Sequence, residues 1–328
     1  MRRLLPLLAA FVSLTILAPA PAAAKETPAY VAIGDSLAFG VGASEPATGG
    51  YVALTYDALS NSDRYHDRGL ELVNMCVPGA TSSDLLLPGG QMERALSEIR
   101  ERQEDTSSSD DNVEIITVDI GGNDVLALAY EDSPCVADPL TEECQGRFQE
   151  MLRTLKGNLT EVLERLREAA PKAELVVMDL YSPLSGRGGA GDLIADFAVG
   201  EIDALTEEVA SRPDLHASLA SVYPLFRGRA AQLIATDGVH PNDDGHALMA
   251  EVVLAAIGGR DPVLPDDLMT PVAVEEMSRG PLGRGGLEPI ASSKEDDPNL
   301  ALILAIAIPA SLLGAAAVVG AYVAARGR

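Results

Sequence analysis

The chain contains no tryptophan, and aromatic residues make up only 4% of its 328 positions. That composition is a poor fit to a sandwich or barrel cored on aromatic pairs; plentiful Ala, Leu and Val suit a helix-rich α/β protein. Positive charge is scarce as well. Four of the 24 basic residues (Arg2, Arg3, Arg326 and Arg328) sit in the two terminal stretches, 1–24 and 300–328, which hold no acid. The 20 that remain face all 49 acidic residues, and the net charge of the whole chain is −25. Nucleic acid is thereby excluded as a partner, and the acidic surplus reads as a well-solvated surface. There are only three cysteines and no CxxC or HExxH pattern, so no strong metal signature is present. The absence of an internal repeat excludes solenoids and propellers. At this length one substantial core suffices.

Both ends carry address signals. Arg2-Arg3, the apolar run 4–18 and Ala22-Ala23-Ala24 have the parts of a signal peptide over 1–24, with cleavage expected before Lys25. Residues 300–325 are 26 positions without a charge, enough to cross a bilayer core of about 30 Å. Arg326 and Arg328 follow at once, which orients the segment 326–328 to the cytoplasm. The expected order is therefore leader, extracytoplasmic body (25–258), a stalk rich in Pro, Gly, Asp and Glu (259–299), and a membrane helix (300–325). A buried core helix is the alternative for 300–325; a lipid-anchor signal near Ser292-Ser293 is another, against which the terminal arginines count. Export permits disulfides. Cys135 and Cys144 share one polar loop that they could close, whereas Cys76 ends an apolar run and reads as a buried free thiol.

Between the ends, apolar runs at 29–34, 70–77, 113–120 and 173–180, with a weaker one at 217–225, read as strands. Helical patterning covers 50–59, a stretch from 83, 91–102, 147–169, a stretch to about 210, a short one at 230–234, and 243–257. Residues 104–112 and 127–146 read as irregular. Such alternation implies a parallel sheet covered on both faces. With five strands, the flavodoxin-like order 2-1-3-4-5 in a three-layer α/β/α arrangement is expected. In a parallel sheet every strand's C-terminal end lies on one edge. Ser36, Gly79 and Asn123 follow the ends of the first, second and third strands, so the topology alone gathers them.

A serine hydroxyl needs a base to take its proton and a third group to orient that base. Asp237 and His240, three apart in a turn bounded by Gly238 and Pro241, can supply both for Ser36. The developing oxyanion needs donors; the Ser36 and Gly79 backbone N–H groups and the Asn123 amide are available. Each stretch alone reads equally as an ordinary turn, and His240 alone as a helix-capping or surface histidine. His66, His216 and His246 receive no role, the last because no partner for it is visible.

Gly34-Asp35-Ser36-Leu37, Asn74 with Pro78-Gly79-Ala80-Thr81, Gly121-Gly122-Asn123-Asp124 and Asp237-Gly238-Val239-His240-Pro241 together resemble the blocks of the SGNH (GDSL) hydrolases, over about 30–257. The resemblance implies an esterase, lipase or related acyl hydrolase with Ser36 as nucleophile, His240 as base and Asp237 as its partner. It also implies Gly79 and Asn123 in the oxyanion hole, and neither metal nor organic cofactor. The partners it leaves are a small-molecule, lipid or glycan ester and, through the C-terminal helix, a membrane; a monomer is expected. This chain departs from the pattern in the 127–146 insertion and the C-terminal anchor, which bear on the substrate. The insertion reads as a lid stapled by Cys135–Cys144 or as a plain surface excursion. A carbohydrate O-deacetylase or acyltransferase is the alternative within the family, and a catalytically silent binding module the alternative outside catalysis. The GxGxxG pattern at 186–191 raises a dinucleotide site, but it starts late after the fourth strand and lacks the acidic residue at the end of the next.

Overall fold

Strand β1 (Ala29–Gly34) is buried along its whole length and sits inside the sheet, so both of its faces must be apolar. Ala29, Val31 and Ile33 enter one core layer, Tyr30 and Ala32 the other, as the two-residue period of a strand requires. The computed structural model describes residues 27–104, 112–129 and 133–264. The expected leader, nearly all of the stalk, the apolar run 300–325 and the tail lie outside them. Among the described residues no helix is long and apolar enough to cross a membrane.

β1 pairs in parallel with β2 (Glu71–Asn74) and β3 (Val113–Asp119); β4 (Glu174–Met178) and β5 (Ala217–Ala220) continue on the β3 side. The order β2-β1-β3-β4-β5 is the expected one. The helices Ser82–Leu85, Gln91–Glu104, Glu142–Ala169 and Ala190–Ala210 cover the Val31 face. Tyr51–Ser60 and Asp243–Gly258, with the short helices Tyr223–Phe226 and Ala230–Leu233, cover the Tyr30 face. Leu155, Leu159, Val162, Leu163 and Leu166 of the Glu142–Ala169 helix recur at spacings of three and four and are all buried. Each contributes roughly 1.5–3 kcal/mol by leaving water.

Three boundaries differ from the sequence expectation, each for a local reason. β5 ends at Ala220, where 217–225 was expected, because the Asp179 carboxylate accepts from Ser221 Oγ (2.5 Å), Val222 N (2.6 Å) and Tyr223 N (3.1 Å) and turns the chain. Pro224 then starts the Tyr223–Phe226 helix. β2 spans four residues rather than eight, although Met75 and Val77 still donate to Ala32 O and Gly34 O. The 127–146 insertion is largely helical. Ala127–Ala129 is a 3-10 turn, Ser133 caps a turn at Pro134–Ala137, and Thr141 caps the long helix at Glu142. Cys144 sits in that helix and is disulfide-bonded to Cys135, while Cys76 is free and buried.

Candidate active site

The carboxyl edge of β1 is a crowded corner. A Cβ on Gly34 would lie 1.9 Å from Asp119 Oδ1 at the end of β3, so only glycine lets the two strands close here. Gln91 holds the same residue from the helix above: Gly34 N donates to its Oε1 (3.0 Å) and its Nε2 donates to Gly34 O (2.8 Å). Asp35 N donates to Asp119 Oδ1 (3.2 Å), and Asp35 Oδ1 accepts from Leu37 N (2.9 Å), capping the turn Ser36–Phe39. Ser36 thus stands at the first helical position, 9% exposed.

His240 arrives from the other end of the chain. Its Nε2 lies 2.9 Å from Ser36 Oγ, and its Nδ1 2.7 Å from Asp237 Oδ2. The carboxylate fixes the ring proton on Nδ1, which leaves the Nε2 lone pair facing the serine hydroxyl. Asp237 Oδ1 also accepts from Val239 N and His240 N, both at 3.0 Å. Partial burial opposes ionisation of Asp237, but the His240 bond and the two backbone donors outweigh it and hold its pKa down at about 2. The loop is clamped as well: Ala235 N donates to His240 O (2.8 Å), Ile234 bridges to Pro241, and Tyr181 OH donates to Val239 O (2.8 Å).

Asn123, in the turn Gly122–Leu126, joins the first three strand ends. Its Nδ2 donates to Asp35 Oδ2 after β1 and to Ala80 O after β2, both at 3.0 Å. Both amide hydrogens therefore already have acceptors, whereas the sequence suggests a free donor. Gly79 adopts φ +82° in a turn closed by Ala80 N donating to Val77 O (3.1 Å). It is tied to the site through Ala80 and Asn123, but it is Gly122, not Gly79, that lines the cleft over Ser36. Asp124 fastens the same junction, accepting from Ser82 N (2.8 Å) and Ser82 Oγ (2.6 Å).

Sequence reasoning missed the layer beneath Ser36. Asp35 and Asp119 are both buried. Burial pushes the two carboxyls up, and for Asp35 the neighbouring Asp119 adds to it. Tyr51 OH steadies Asp119 by donating to Oδ2 (2.8 Å). An acid, Asp119, ending the largely apolar strand Val113–Asp119 was the available signal. His246 does have partners: its Nδ1 accepts from Tyr51 N (3.3 Å) and its Nε2 donates to Val41 O (3.0 Å). Both are backbone groups, which no side-chain pattern could have announced. Burial lowers its pKa and keeps it neutral.

The cleft walls are Val125, Leu126, Leu180, Tyr181, Val199 and Val239. Among the described residues no group of three or more His, Cys, Asp or Glu is arranged to hold a metal ion. In the glycine-rich loop the N–H groups of Gly186 and Gly188 donate to Asp192 Oδ2 (3.1 and 2.8 Å). They are engaged by the loop's own carboxylate rather than open to a phosphate.

A serine, an imidazole and a carboxylate in series at the carboxyl edge of a parallel α/β sheet are the arrangement of a serine hydrolase. The family model described as GDSL-like Lipase/Acylhydrolase matches residues 32–248, and the chain belongs to that family, whose members hydrolyse esters. The spore germination lipase LipC of Bacillus licheniformis is 26% identical over 239 residues, covering 70% of this chain and 97% of that protein. Two solved structures share the fold. The lipase Lip_vut3 from a goat rumen metagenome is 23% identical with a TM-score of 0.53, covering 70% of this chain and 97% of its own. The extracellular lipase of Streptomyces rimosus is 22% identical with a TM-score of 0.50, covering 70% and 100%.

Proposed function

We propose that this protein is an extracytoplasmic esterase that cleaves carboxylic esters through an acyl-enzyme on Ser36. The observation that carries the reading is the continuous relay from Ser36 Oγ through His240 to Asp237, at 2.9 and 2.7 Å. Ser36 Oγ attacks the ester carbonyl while His240 Nε2 takes its proton. Asp237, ionised well below neutral pH, stabilises the imidazolium that forms. The N–H of Ser36 and the Asn123 amide hold the oxyanion, which would share one of the amide hydrogens with Asp35 Oδ2 or Ala80 O; Gly79, outside the lining of the cleft, would join them only once substrate is seated. His240 then returns the proton to the departing alcohol, and a water activated by the same nitrogen releases the acid and restores Ser36.

Location outside the cytoplasm is supported by the leader-like residues 1–24 and by the Cys135–Cys144 disulfide, a bond of oxidising compartments. The catalytic unit is 25–258; 259–299 serves as a stalk, 300–325 as a single anchor and 326–328 as a cytoplasmic tail. The enzyme acts as a monomer and needs no cofactor. The apolar walls of the cleft favour an acyl chain longer than acetyl, and so a lipid-like ester over carbohydrate O-deacetylation. The lipase relative supports the same choice.

The test is hydrolysis of p-nitrophenyl esters from acetate to palmitate by the purified protein. Ser36→Ala should lower kcat by about 10⁴-fold or more; unchanged turnover refutes the mechanism. A maximum at butyrate to octanoate supports the lipid-like ester, and a maximum at acetate points to deacetylation instead.

A further inference from the structure

Asp35 does more than a cap requires. To close the Ser36–Phe39 turn one oxygen is enough, and a serine or asparagine in that place would cap about as well. Oδ1 does this work through Leu37 N. Oδ2 reaches in another direction, to Asn123 Nδ2 at 3.0 Å. The carboxylate also stands in the interior, 2% exposed, beside a second buried carboxylate, Asp119. Placing two acids together in low dielectric is unfavourable, and a serine cap would avoid it. The arrangement therefore calls for a use that needs an acceptor on the Asn123 side.

The orientation of Asn123 supplies that use. An asparagine amide has a nitrogen edge that donates and an oxygen edge that accepts, and the two are nearly identical in shape. An oxyanion is stabilised by the first and repelled by the second. Ala80 O can only accept, and Asp35 Oδ2 accepts in its ionised form, so together they dictate that nitrogen, not oxygen, is presented at the junction beside Ser36. We infer that Asp35 is a positioning residue for ester hydrolysis: it touches no reacting atom, but it aims the Asn123 amide and so sets how firmly the oxyanion is held. The inference rests on the reading of Asn123 as an oxyanion donor given above. As the intermediate forms, Nδ2 shares a hydrogen with the new charge while Asp35 keeps the amide from flipping.

The experiment is a double-mutant cycle in the purified protein, with p-nitrophenyl butyrate as substrate. Asp35→Ser keeps a cap but is too short to reach Asn123; Asp35→Asn keeps the size and loses the charge. Asn123→Ala should lower kcat by about 10²- to 10³-fold, the usual effect of deleting one such donor. Asp35→Ser and Asp35→Asn should each lower kcat about tenfold or more with KM within about twofold, and cost less than about twofold when Asn123 is already Ala. Wild-type kcat in Asp35→Ser overturns the inference, since capping alone would then explain Asp35. An equal loss in both backgrounds also overturns it, because Asp35 would be acting directly on the Ser36 turn. Wild-type kcat in Asn123→Ala, with Ser36→Ala inactive, overturns the inference and leaves the Ser36 mechanism standing; activity in Ser36→Ala overturns both. Should neither Asp35 variant fold, side-chain NMR of the unsubstituted protein gives the answer. The Asn123 amide protons, assigned by their loss in Asn123→Ala, should exchange with water at least about tenfold more slowly than an exposed asparagine's. Free exchange refutes the aim.

Discussion

Replacing Asp203 by Asn should stabilise the protein at neutral pH and leave it unchanged near pH 4. Asp203 lies in the Ala190–Ala210 helix, 9% exposed, against the end of β4. Its Oδ1 accepts from Leu180 N (2.8 Å), and its Oδ2 is buried with no hydrogen-bond partner. Burial first, and the charge of Asp179 second, push its pKa up to about 8, against the pull of the Leu180 N–H. In the unfolded chain an aspartate titrates near about 3.9. Below that value Asp203 is protonated in both states and neutral to stability. As pH rises from there toward the folded value, the unfolded chain ionises while the fold must keep its proton, and stability is lost throughout that window. At about 1.4 kcal/mol per unit, the ceiling of that loss at pH 7 is about 4 kcal/mol. Asparagine never ionises, still accepts from Leu180 N, and leaves a donor where the protonated carboxyl also leaves one. The expected gain is therefore about 1–4 kcal/mol at pH 7 and within about 0.5 kcal/mol of zero at pH 4. Urea unfolding followed by far-ultraviolet circular dichroism at pH 4, 7 and 8 reads it directly. Equal stability at pH 7, or a gain that persists undiminished at pH 4, would refute the reasoning.

Two further substitutions probe the site from opposite sides. Gly34→Ala would set a Cβ 2.6 Å from Asp119 O as well as against its carboxylate; it should destabilise by about 3 kcal/mol, measured by the same urea titration, because backbone cannot yield as a flexible side chain can. Replacing both Cys135 and Cys144 by Ser opens a loop with a sequence separation of 9. The chain-entropy relation gives a loss of about 2–3 kcal/mol for a loop of that size. Turnover of p-nitrophenyl acetate should hold within about twofold, since neither sulfur touches the relay; a collapse in kcat would show that the staple shapes the cleft.

What could be read in the sequence was what a single strand or turn announces by itself. The β-branched runs in β1, β3 and β4 were plain because strands buried on both faces leave little room for polar residues. Ser36, Asp237 and His240 were legible because each stands in a short punctuated turn, and topology placed those turns on one edge. The misreadings concern features decided by distant groups. β5 looked longer than it is because the carboxylate that turns it away, Asp179, follows the end of β4. The start of the long helix was hidden by the polarity of its exposed first turns, where Glu142 and Glu143 suit the helix N-terminus but look like loop. Asp35, Asp119 and Gln91 act across separations of 57 to 88 residues, and no local pattern reports such contacts.

The hydrogen bond between His240 and Ser36 spans 204 positions of the chain. The proposed nucleophile is made with the first strand, and its proposed base only just before the last helix, Asp243–Gly258. A nascent chain that has not reached residue 240 carries a serine with nothing to take its proton, however well its first strands have paired. On the proposed mechanism, turnover begins only when the far end of the fold has docked, so ester hydrolysis would double as a readout of complete folding. An enzyme that must be threaded across a membrane unfolded would, by the same layout, stay silent on the side where it is made.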